Sequence, residues 1–200
     1  MPAATLATSL RYETHDPAGP AALTTAQSIL DSVAALIRLD SIQSYLSRLQ
    51  AFNGRVAATS SNWDSRDWIQ SKFSDFGYDS IYLDQFAPSV FGGTPCYNVI
   101  ATKLGVRYPD IHILVGAHFD GVPGSPAVDD NGTGTAAVLE IARVLYDIPT
   151  DVSIVFATFD AEEYGLFGAA HYAETAIADC ETILVMWNMD MIGHFSNTSR

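Results

Sequence analysis

The stretch IHILVGAHFDGVPGSPAVDDNGTGTAAVLEIARVLYDIPTDVSIVFATFDAEEYGLFGA, residues 111–169, decides the fold of this chain. Two apolar runs rich in β-branched residues, Ile111 to Val115 and Val152 to Phe159, are each followed by acidic or histidine side chains. Between them lie a loop of Gly, Pro and Asp residues and a helical pattern from Ala136 to Leu145. Buried strands that end at such side chains place them at the carboxyl edge of a sheet, where open α/β sheets bind ligands.

The elements around this stretch predict an α/β domain. Apolar residues at helical spacing predict helices over 24–39, 41–52, 63–76 and 166–177. Alternating or apolar runs predict further strands over 78–86, 96–104 and 182–187. We expect Asn62 or Ser61 to cap the third helix and Gly77 to end it. The order of elements favours a three-layer α/β/α sandwich with a mostly parallel, mixed central sheet.

Composition restricts the classes of partner. The 200 residues, 48% of them hydrophobic, are enough for a domain with its own core. A formal net charge of −13 disfavours binding to nucleic acid and to anionic membranes, so neither is an expected partner. Solubility explains that charge more simply than partner binding does. No apolar run reaches the roughly 18 residues of a membrane span, and the oligomeric state is left open.

The cysteines and the N-terminus bear on the compartment. Cys96 and Cys180 are too few for a disulfide framework, and their places at strand edges favour free, at least partly buried thiols. A single Cys96–Cys180 bridge stays an alternative. Residues 1–20 lack periodicity and predict a flexible arm without the features of a signal peptide. The expected location is cytoplasmic, or secreted or periplasmic if the true N-terminus is missing.

Ligand-type side chains follow the first strand and precede the central helix. His118 and Asp120 have the pattern of a metal ligand and of the carboxylate that orients it, although a satisfied core histidine is the commoner outcome for such a pair. Asp129 and Asp130 stand just before the helix, where N-capping is the simpler explanation. Capping accounts for one acid well and for two less well.

Two other strands also end at acids. Glu162 and Glu163 precede an apolar, turning segment over 164–168 that would bury them, and Asp190 follows an apolar strand. Buried, paired carboxylates need a cation or a shared proton. Four separate segments thus deliver His, Asp or Glu to one edge of the sheet. An imidazole with several carboxylates suits zinc, and also manganese or cobalt.

Four motifs together carry a family resemblance: GAHFDGV, AVDDNGTGTAAVLEIARVL, FATFDAEEYGLFGA and NMDMIG. In this order they resemble the zinc aminopeptidase family that includes the bacterial leucyl aminopeptidases and glutamate carboxypeptidase II. The resemblance extends over about residues 96–194. It implies a metallo-exopeptidase that uses two zinc ions and a bound water to remove N-terminal residues from peptide substrates.

The resemblance also implies a role for each site residue. The implied ligands of the two Zn²⁺ ions are His118, Asp130, Glu163 and Asp190. Asp130 would bridge the ions, Asp120 would orient His118, and Glu162 would be the general base. The bond between Asp130 and Asn131 resembles one that is cis in this family.

One part of the family pattern has no counterpart here. The family's site includes a further histidine on a loop beyond NMDMIG, and no residue up to Arg200 maps onto it; His194 is a poor substitute because it lies beyond a glycine. We therefore expect a zinc peptidase catalytic domain over 21–200, with helices over 24–76 and the sheet and metal site over 78–194, truncated at its C-terminal side. The alternatives are a degenerate, non-catalytic metal-binding or protein-interaction domain, and a carboxypeptidase or cyclising aminoacyl transferase on the same scaffold.

Overall fold

The computed structural model describes residues 20–194, with side chains described from residue 27 onward. The predicted N-terminal arm therefore lies outside the described residues, apart from residue 20. Contacts divide the chain between Leu36 and Ile37. The described element of the first unit is helix α1 (Pro20–Ala34). The sheet and the candidate site belong to the unit that begins at Ile37.

Two helices precede the sheet: α2 (Leu39–Ala51) and α3 (Ser60–Phe76). The prediction of one helix over 24–39 is wrong at its C-terminal end, because Arg38 is extended and its N–H donates to a carboxylate oxygen of Glu140 at 2.6 Å. This contact starts a new helix at Leu39.

The two ends of α3 differ in how well they were predicted. Gly77 ends the helix with φ of +103°, a conformation that glycine adopts without a steric penalty, as predicted. The N-cap is Thr59 rather than Ser61 or Asn62. Asn62 is buried and its amide donates to Asp160 at 2.8 Å, so this side chain joins the helix to a distant strand end instead.

Five strands form a mixed sheet in the order β1–β2–β4–β3–β5. The strands are β1 (Ile81–Phe86), β2 (Cys96–Lys103), β3 (Tyr108–His118), β4 (Val152–Phe159) and β5 (Thr182–Asn188). The β1–β2 and β2–β4 pairs are antiparallel, whereas β4–β3 and β3–β5 are parallel. The mixed α/β sheet is confirmed, with parallel pairing confined to the half that carries the predicted ligands.

Alternating side chains give the sheet a core on each face. Val115 and Phe156 pack in the larger core, which includes residues of α2, α3 and α4 (Gly134–Leu145). Their neighbours Leu114 and Val155 point the other way and pack against α5 (Phe167–Ala178). Helices on both faces make three layers, as predicted.

Strand β5 differs from the inner strands because all seven of its residues are exposed or nearly so. It lies at one edge of the sheet and pairs only with β3 among the described strands. None of the described helices combines the length and the apolar character that a bilayer span requires. Both cysteines are free; Cys96 is buried, whereas Cys180 is exposed in the turn after α5, so the expected burial is wrong for Cys180.

Candidate metal centre

The parallel half of the sheet brings three strand ends to one edge. Residue His118 ends β3 and pairs with Phe159, the last residue of β4, while Gly116 pairs with Asn188, the last residue of β5. The predicted acids lie in the segments that leave these strands. The pairing register of the three strands therefore brings together side chains that are up to 72 positions apart in the sequence, from His118 to Asp190.

The imidazole of His118 lies at the centre of the collected side chains. Its Nε2 atom is 3.2 Å from Asp130 Oδ1, 3.6 Å from Asp190 Oδ1 and 3.9 Å from Glu162 Oε2. The His118 side chain is only 3% exposed, whereas those of Asp130 and Asp190 are 45% and 44% exposed. The cluster therefore has a buried imidazole side and a carboxylate side that is open to solvent.

These spacings suit a metal ion. Two ligand atoms that each lie about 2.0–2.2 Å from one tetrahedral zinc are separated by about 3.3–3.6 Å. The His118–Asp130 and His118–Asp190 separations fall at or close to that range, and the His118–Glu162 separation is longer. Among the described residues, one imidazole and several carboxylates thus form a nitrogen and oxygen donor set typical of zinc.

Glu162 is nevertheless part of a group of three side chains that are close enough to share one metal ion. One ligand-type atom each of His118, Glu162 and Asp190 lie within 4.8 Å of one another. The structure therefore brings together His118, Asp130, Asp190 and the predicted base Glu162. Glu163 is the next residue in the same turn, but neither Glu163 nor Asp130 belongs to that group of three. The charge of Asp130 is the largest charge effect on the pKa of Glu163.

Asp120 lies behind the imidazole and is fully buried. Its Oδ1 atom is 3.4 Å from His118 Nδ1, a contact too poorly directed to be a good hydrogen bond. The same carboxylate accepts hydrogen bonds from the backbone N–H groups of Glu162 at 3.0 Å and Glu163 at 3.3 Å. Asp120 therefore connects the ends of β3 and β4 as well as contacting the histidine.

The concentration of negative charge shifts the pKa values of the site. Burial favours neutral His118, but the contact with Asp120 and the charges of Glu162 and Asp190 together raise its pKa to about 9. Burial raises the pKa of Glu162, an effect that the charge of His118 partly opposes. Burial also raises the pKa of Glu163, and the neighbouring Asp130 adds to the increase. A cation at this position would offset the repulsion among these acids.

The turn Val128–Thr133 carries Asp130 into the site. The Asp130–Asn131 peptide bond is cis, as the family resemblance implied. The Asn131 side chain donates to the carbonyl of Met189 at 2.9 Å and accepts from the N–H of Gly134 at 2.9 Å. The segments carrying Asp130 and Asp190 are therefore tied to each other through one amide.

Two other hydrogen bonds join the same segments. Asp129 accepts from the N–H of Gly193 at 2.9 Å, and the hydroxyl of Thr133 accepts from the N–H of Ile192 at 3.2 Å. Asp129 thus fixes the loop after β5, besides its contact with Thr133 within its own turn. His194 is exposed at the end of the described residues and is absent from the group around His118.

Sequence reasoning missed two buried charged groups beside the site. Asp160 accepts from Asn62 at 2.8 Å, from the Tyr97 N–H at 3.1 Å and from the Ala161 N–H at 2.8 Å. Burial, followed by the charge of Asp120, raises the pKa of Asp160 to about 7. An acid directly after a buried strand was the available signal, the same one that identified Asp190.

The second missed residue is Arg55, which is fully buried and hydrogen-bonds to carbonyl groups of the ligand-bearing loops. Its position after Asn53-Gly54 in the sequence gave only a turn signal.

Comparison with known proteins connects this geometry to a family. The profile of peptidase family M28 matches residues 98–199. Aminopeptidase YwaD of Bacillus subtilis (strain 168) is 43% identical over 99 residues, which cover 48% of this chain and 22% of that protein. The zinc aminopeptidase BSAP from Bacillus subtilis superposes with a TM-score of 0.71 at 19% identity, covering 78% of this chain and 70% of that one.

A second solved structure shows that the same fold carries another reaction. The glutaminyl cyclase of Porphyromonas gingivalis superposes with a TM-score of 0.65 at 24% identity, covering 79% of this chain and 60% of that one. At these identities the likeness shows the fold alone. The match to YwaD spans less than a quarter of that relative, and the profile match includes every predicted ligand from His118 to Asp190.

Proposed function

Because the chain belongs to peptidase family M28, we propose that it acts as a zinc-dependent aminopeptidase that removes N-terminal residues from peptides. The observation that carries the proposal is the cluster around the buried imidazole of His118. Its Nε2 atom faces three carboxylates at 3.2–3.9 Å. The names of YwaD and BSAP support aminopeptidase activity as the reaction to test first.

The proposed ligands divide the site between two ions. His118 and Asp190 would hold the first zinc, Glu163 the second, and Asp130 would bridge them. The position of Asp130 supports this division, since its carboxylate is 3.2 Å from His118 and its charge also acts on Glu163. When bound, zinc lowers the pKa of a coordinated water and polarises the scissile carbonyl group.

Glu162 is proposed as the general base. Its side chain is 28% exposed, so it can reach both the buried imidazole and a substrate in solvent. Burial raises its pKa in the direction that suits a base working near neutral pH. In this role the Glu162 carboxylate takes a proton from the attacking water and passes it to the leaving amine.

Asp120 is proposed to orient the imidazole of His118. It lies on the Nδ1 side of the ring, opposite the cluster of acids, and its two hydrogen bonds to the turn at Glu162 restrict its own position. A carboxylate behind a ligating histidine fixes the tautomer that leaves Nε2 free to bind a metal.

The test combines metal content with turnover. The purified chain is dialysed against zinc, its metal content is measured by plasma emission, and chromophore release from aminoacyl-anilides is followed before and after chelation. We expect zinc to be retained and turnover to stop with the chelator and return with zinc. Retained zinc without turnover on any aminoacyl-anilide would instead support the non-catalytic metal-binding alternative.

A further inference from the structure

Arg55 is a fully buried cation in the loop between α2 and α3. Both Gly54 and Arg55 have positive φ angles, +106° and +47°, so the loop turns sharply and directs the Arg55 side chain inward. Arg55 forms no ion pair with any acid among the described residues. A buried charge without a carboxylate partner is costly, so its surroundings call for an explanation.

The guanidinium donates to the backbone of both loops that carry proposed ligands. Its Nε atom bonds to the carbonyl of Phe119 and its Nη2 atom to that of Ala127, each at 2.6 Å. Phe119 lies between His118 and Asp120, and Ala127 directly precedes the turn that contains Asp130. One rigid, planar group therefore spans the first and second ligand segments.

Two other carbonyl groups complete the surroundings of the guanidinium. Its Nη1 atom donates to Leu49 at 2.9 Å and to Pro126 at 3.4 Å. Leu49 lies in α2, so the guanidinium also connects both ligand loops to this helix. Ala127 additionally accepts from the N–H of Gly132 at 3.1 Å, which closes the turn around Asp130.

The backbone of the Arg55 loop packs against the same two segments. The Arg55 carbonyl accepts from the N–H of Gly121 at 3.3 Å, and Val56 pairs with Gly121 in an isolated parallel bridge. A Cβ atom on Gly121 would lie 2.5 Å from the Cβ of Ala127 and 2.8 Å from the carbonyl oxygen of Gly54. The three segments are therefore in direct contact, without room for a side chain between them.

The charge of Arg55 also faces the acidic site. Burial lowers the pKa of Arg55 to about 10, an effect that the charge of Asp120 opposes, so the group is protonated at neutral pH. The positive charge thus lies behind a cluster that contains five acidic side chains: Asp120, Asp130, Glu162, Glu163 and Asp190. An apolar residue would fill the same space without the cost of burying a charge.

We propose that Arg55 is a positioning residue for the metal centre, whose guanidinium fixes the separation between the His118 and Asp130 segments. It touches neither substrate nor the reacting atoms and acts through the carbonyl groups of Phe119 and Ala127. The inference rests on the proposed function for the identity of the ion. The geometry of the two loops stands independently of it.

The experiment compares zinc binding in Arg55→Lys and Arg55→Met with a matched control, Ile69→Ala. Ile69 is fully buried in the larger core, so its truncation lowers stability without removing a hydrogen bond to the ligand loops. Zinc affinity is measured by competition with a chromogenic chelator, and Co²⁺ substitution reports the ligand geometry through its visible absorption. Circular dichroism establishes which variants are folded.

We expect both Arg55 variants to bind zinc about 10- to 100-fold more weakly than the wild type, the loss typical of residues that orient metal ligands. Their Co²⁺ spectra should change, whereas Ile69→Ala should keep its zinc affinity within about twofold and its spectrum unchanged. Arg55→Lys keeps the positive charge but lacks the planar set of guanidinium donors. This variant therefore tests the positioning role even if Arg55→Met does not fold. Wild-type affinity and spectrum in a folded Arg55→Lys would overturn the proposal.

A metal-free measurement separates this inference from the proposed function. Amide hydrogen exchange in the absence of metal should be faster in Arg55→Lys than in the wild type and Ile69→Ala at Gly121 and Gly132, whose N–H groups bond to the connected loops. A wild type that binds no zinc would refute the proposed function, and the exchange rates would still decide the role of Arg55. Unchanged exchange at both amides would refute that role.

Discussion

Strands β3 and β5 are parallel neighbours that each lead to a proposed zinc ligand, yet their surroundings are opposite. The C-terminal half of β3 is buried on both faces and ends at His118, whose side chain is 3% exposed. Strand β5 is exposed along its length and is followed by Asp190, whose side chain is 44% exposed. One proposed zinc ligand therefore ends a buried strand, and the other follows an exposed strand.

The difference shows that two kinds of interaction hold the site together. His118 is fixed by core packing on both faces of β3 and by Asp120 behind its ring. In the segment of Asp190, Met189 packs against the edge of the larger core, and individual hydrogen bonds, including the one from Asn131 to the carbonyl of Met189, hold the loop. We expect changes beside His118 to affect metal binding and chemistry strongly, and changes to the hydrogen bonds that hold the loop after β5 to act through local stability.

The largest expected effect comes from Glu162→Gln, in the turn after β4, the strand that pairs with β3 on the side away from β5. The amide cannot accept the proton, so turnover of an aminoacyl-anilide should fall about two to four orders of magnitude while zinc content and fold are kept. Glu163→Gln is the matched comparison, because Glu163 is itself a proposed ligand and its replacement should lower the zinc content. Loss of zinc in Glu162→Gln would reassign Glu162 as a ligand.

Protonation of the buried His118 should also make zinc binding depend on pH. In the metal-free protein the folded-state pKa of His118 is about 9, above its ordinary value of 6.5. Its contribution to the free energy of unfolding is therefore fully present below about pH 6.5 and is lost as the pH rises through about 9. The proton that His118 holds must leave before the ring can bind zinc.

If zinc displaces one proton, its affinity should consequently weaken about tenfold for each pH unit below 9. Chelator competition from pH 6.5 to 9 measures this dependence. The competing chelator is calibrated at each pH without protein, so that its own titration is removed. An affinity independent of pH over this range would show that His118 is not a protonated ligand.

Asp120→Asn tests the contact behind the imidazole. The amide keeps the shape of the side chain but loses the negative charge beside His118, so zinc affinity should fall about 10- to 100-fold. Isothermal titration with zinc measures the loss. Asp129→Asn, at an acid that bonds to the loop after β5 rather than to His118, is the control and should bind zinc within a few-fold of the wild type.

Asn131→Ala tests the hydrogen bonds that hold the segment after β5 and should have the smallest effect. Removing the side chain leaves the Met189 carbonyl and the Gly134 N–H without their partner, which should lower the free energy of unfolding by about 1–3 kcal/mol. Urea denaturation of the metal-free protein measures this difference. A larger loss of unfolding free energy from Asn131→Ala than from truncation of a buried side chain on β3 would contradict the contrast between the two strands.

Much of the fold follows from local patterns in the sequence. The run Val152–Phe159 is observed as β4 with the predicted ends, and Gly77 ends α3 because a left-handed residue is required there. The antiparallel pairing of β1, β2 and β4 did not follow, because pairing direction depends on which strands meet in space. The prediction that the parallel arrangement dominates holds only for β4, β3 and β5.

The site was predictable where its residues stand directly after apolar strands. His118, Glu162 and Asp190 were named on that ground, and the structure brings them within 4.8 Å of one another. Their individual roles as ligand or base stay predictions. Arg55 was not found, because its side-chain partners other than Leu49 lie 64 to 72 positions away in the chain, and such separations leave no periodic signal. Asp160 carried the same signal as Asp190, an acid directly after an apolar strand, and was overlooked.

The most direct test of the central claim is the zinc content of the wild type and of His118→Ala after dialysis with zinc and removal of the unbound metal. Convergence of His118, Asp130, Glu163 and Asp190 on a common centre predicts that the wild type retains zinc and that His118→Ala loses most of it while remaining folded. Equal zinc retention by both proteins, or none by the folded wild type, would contradict the account.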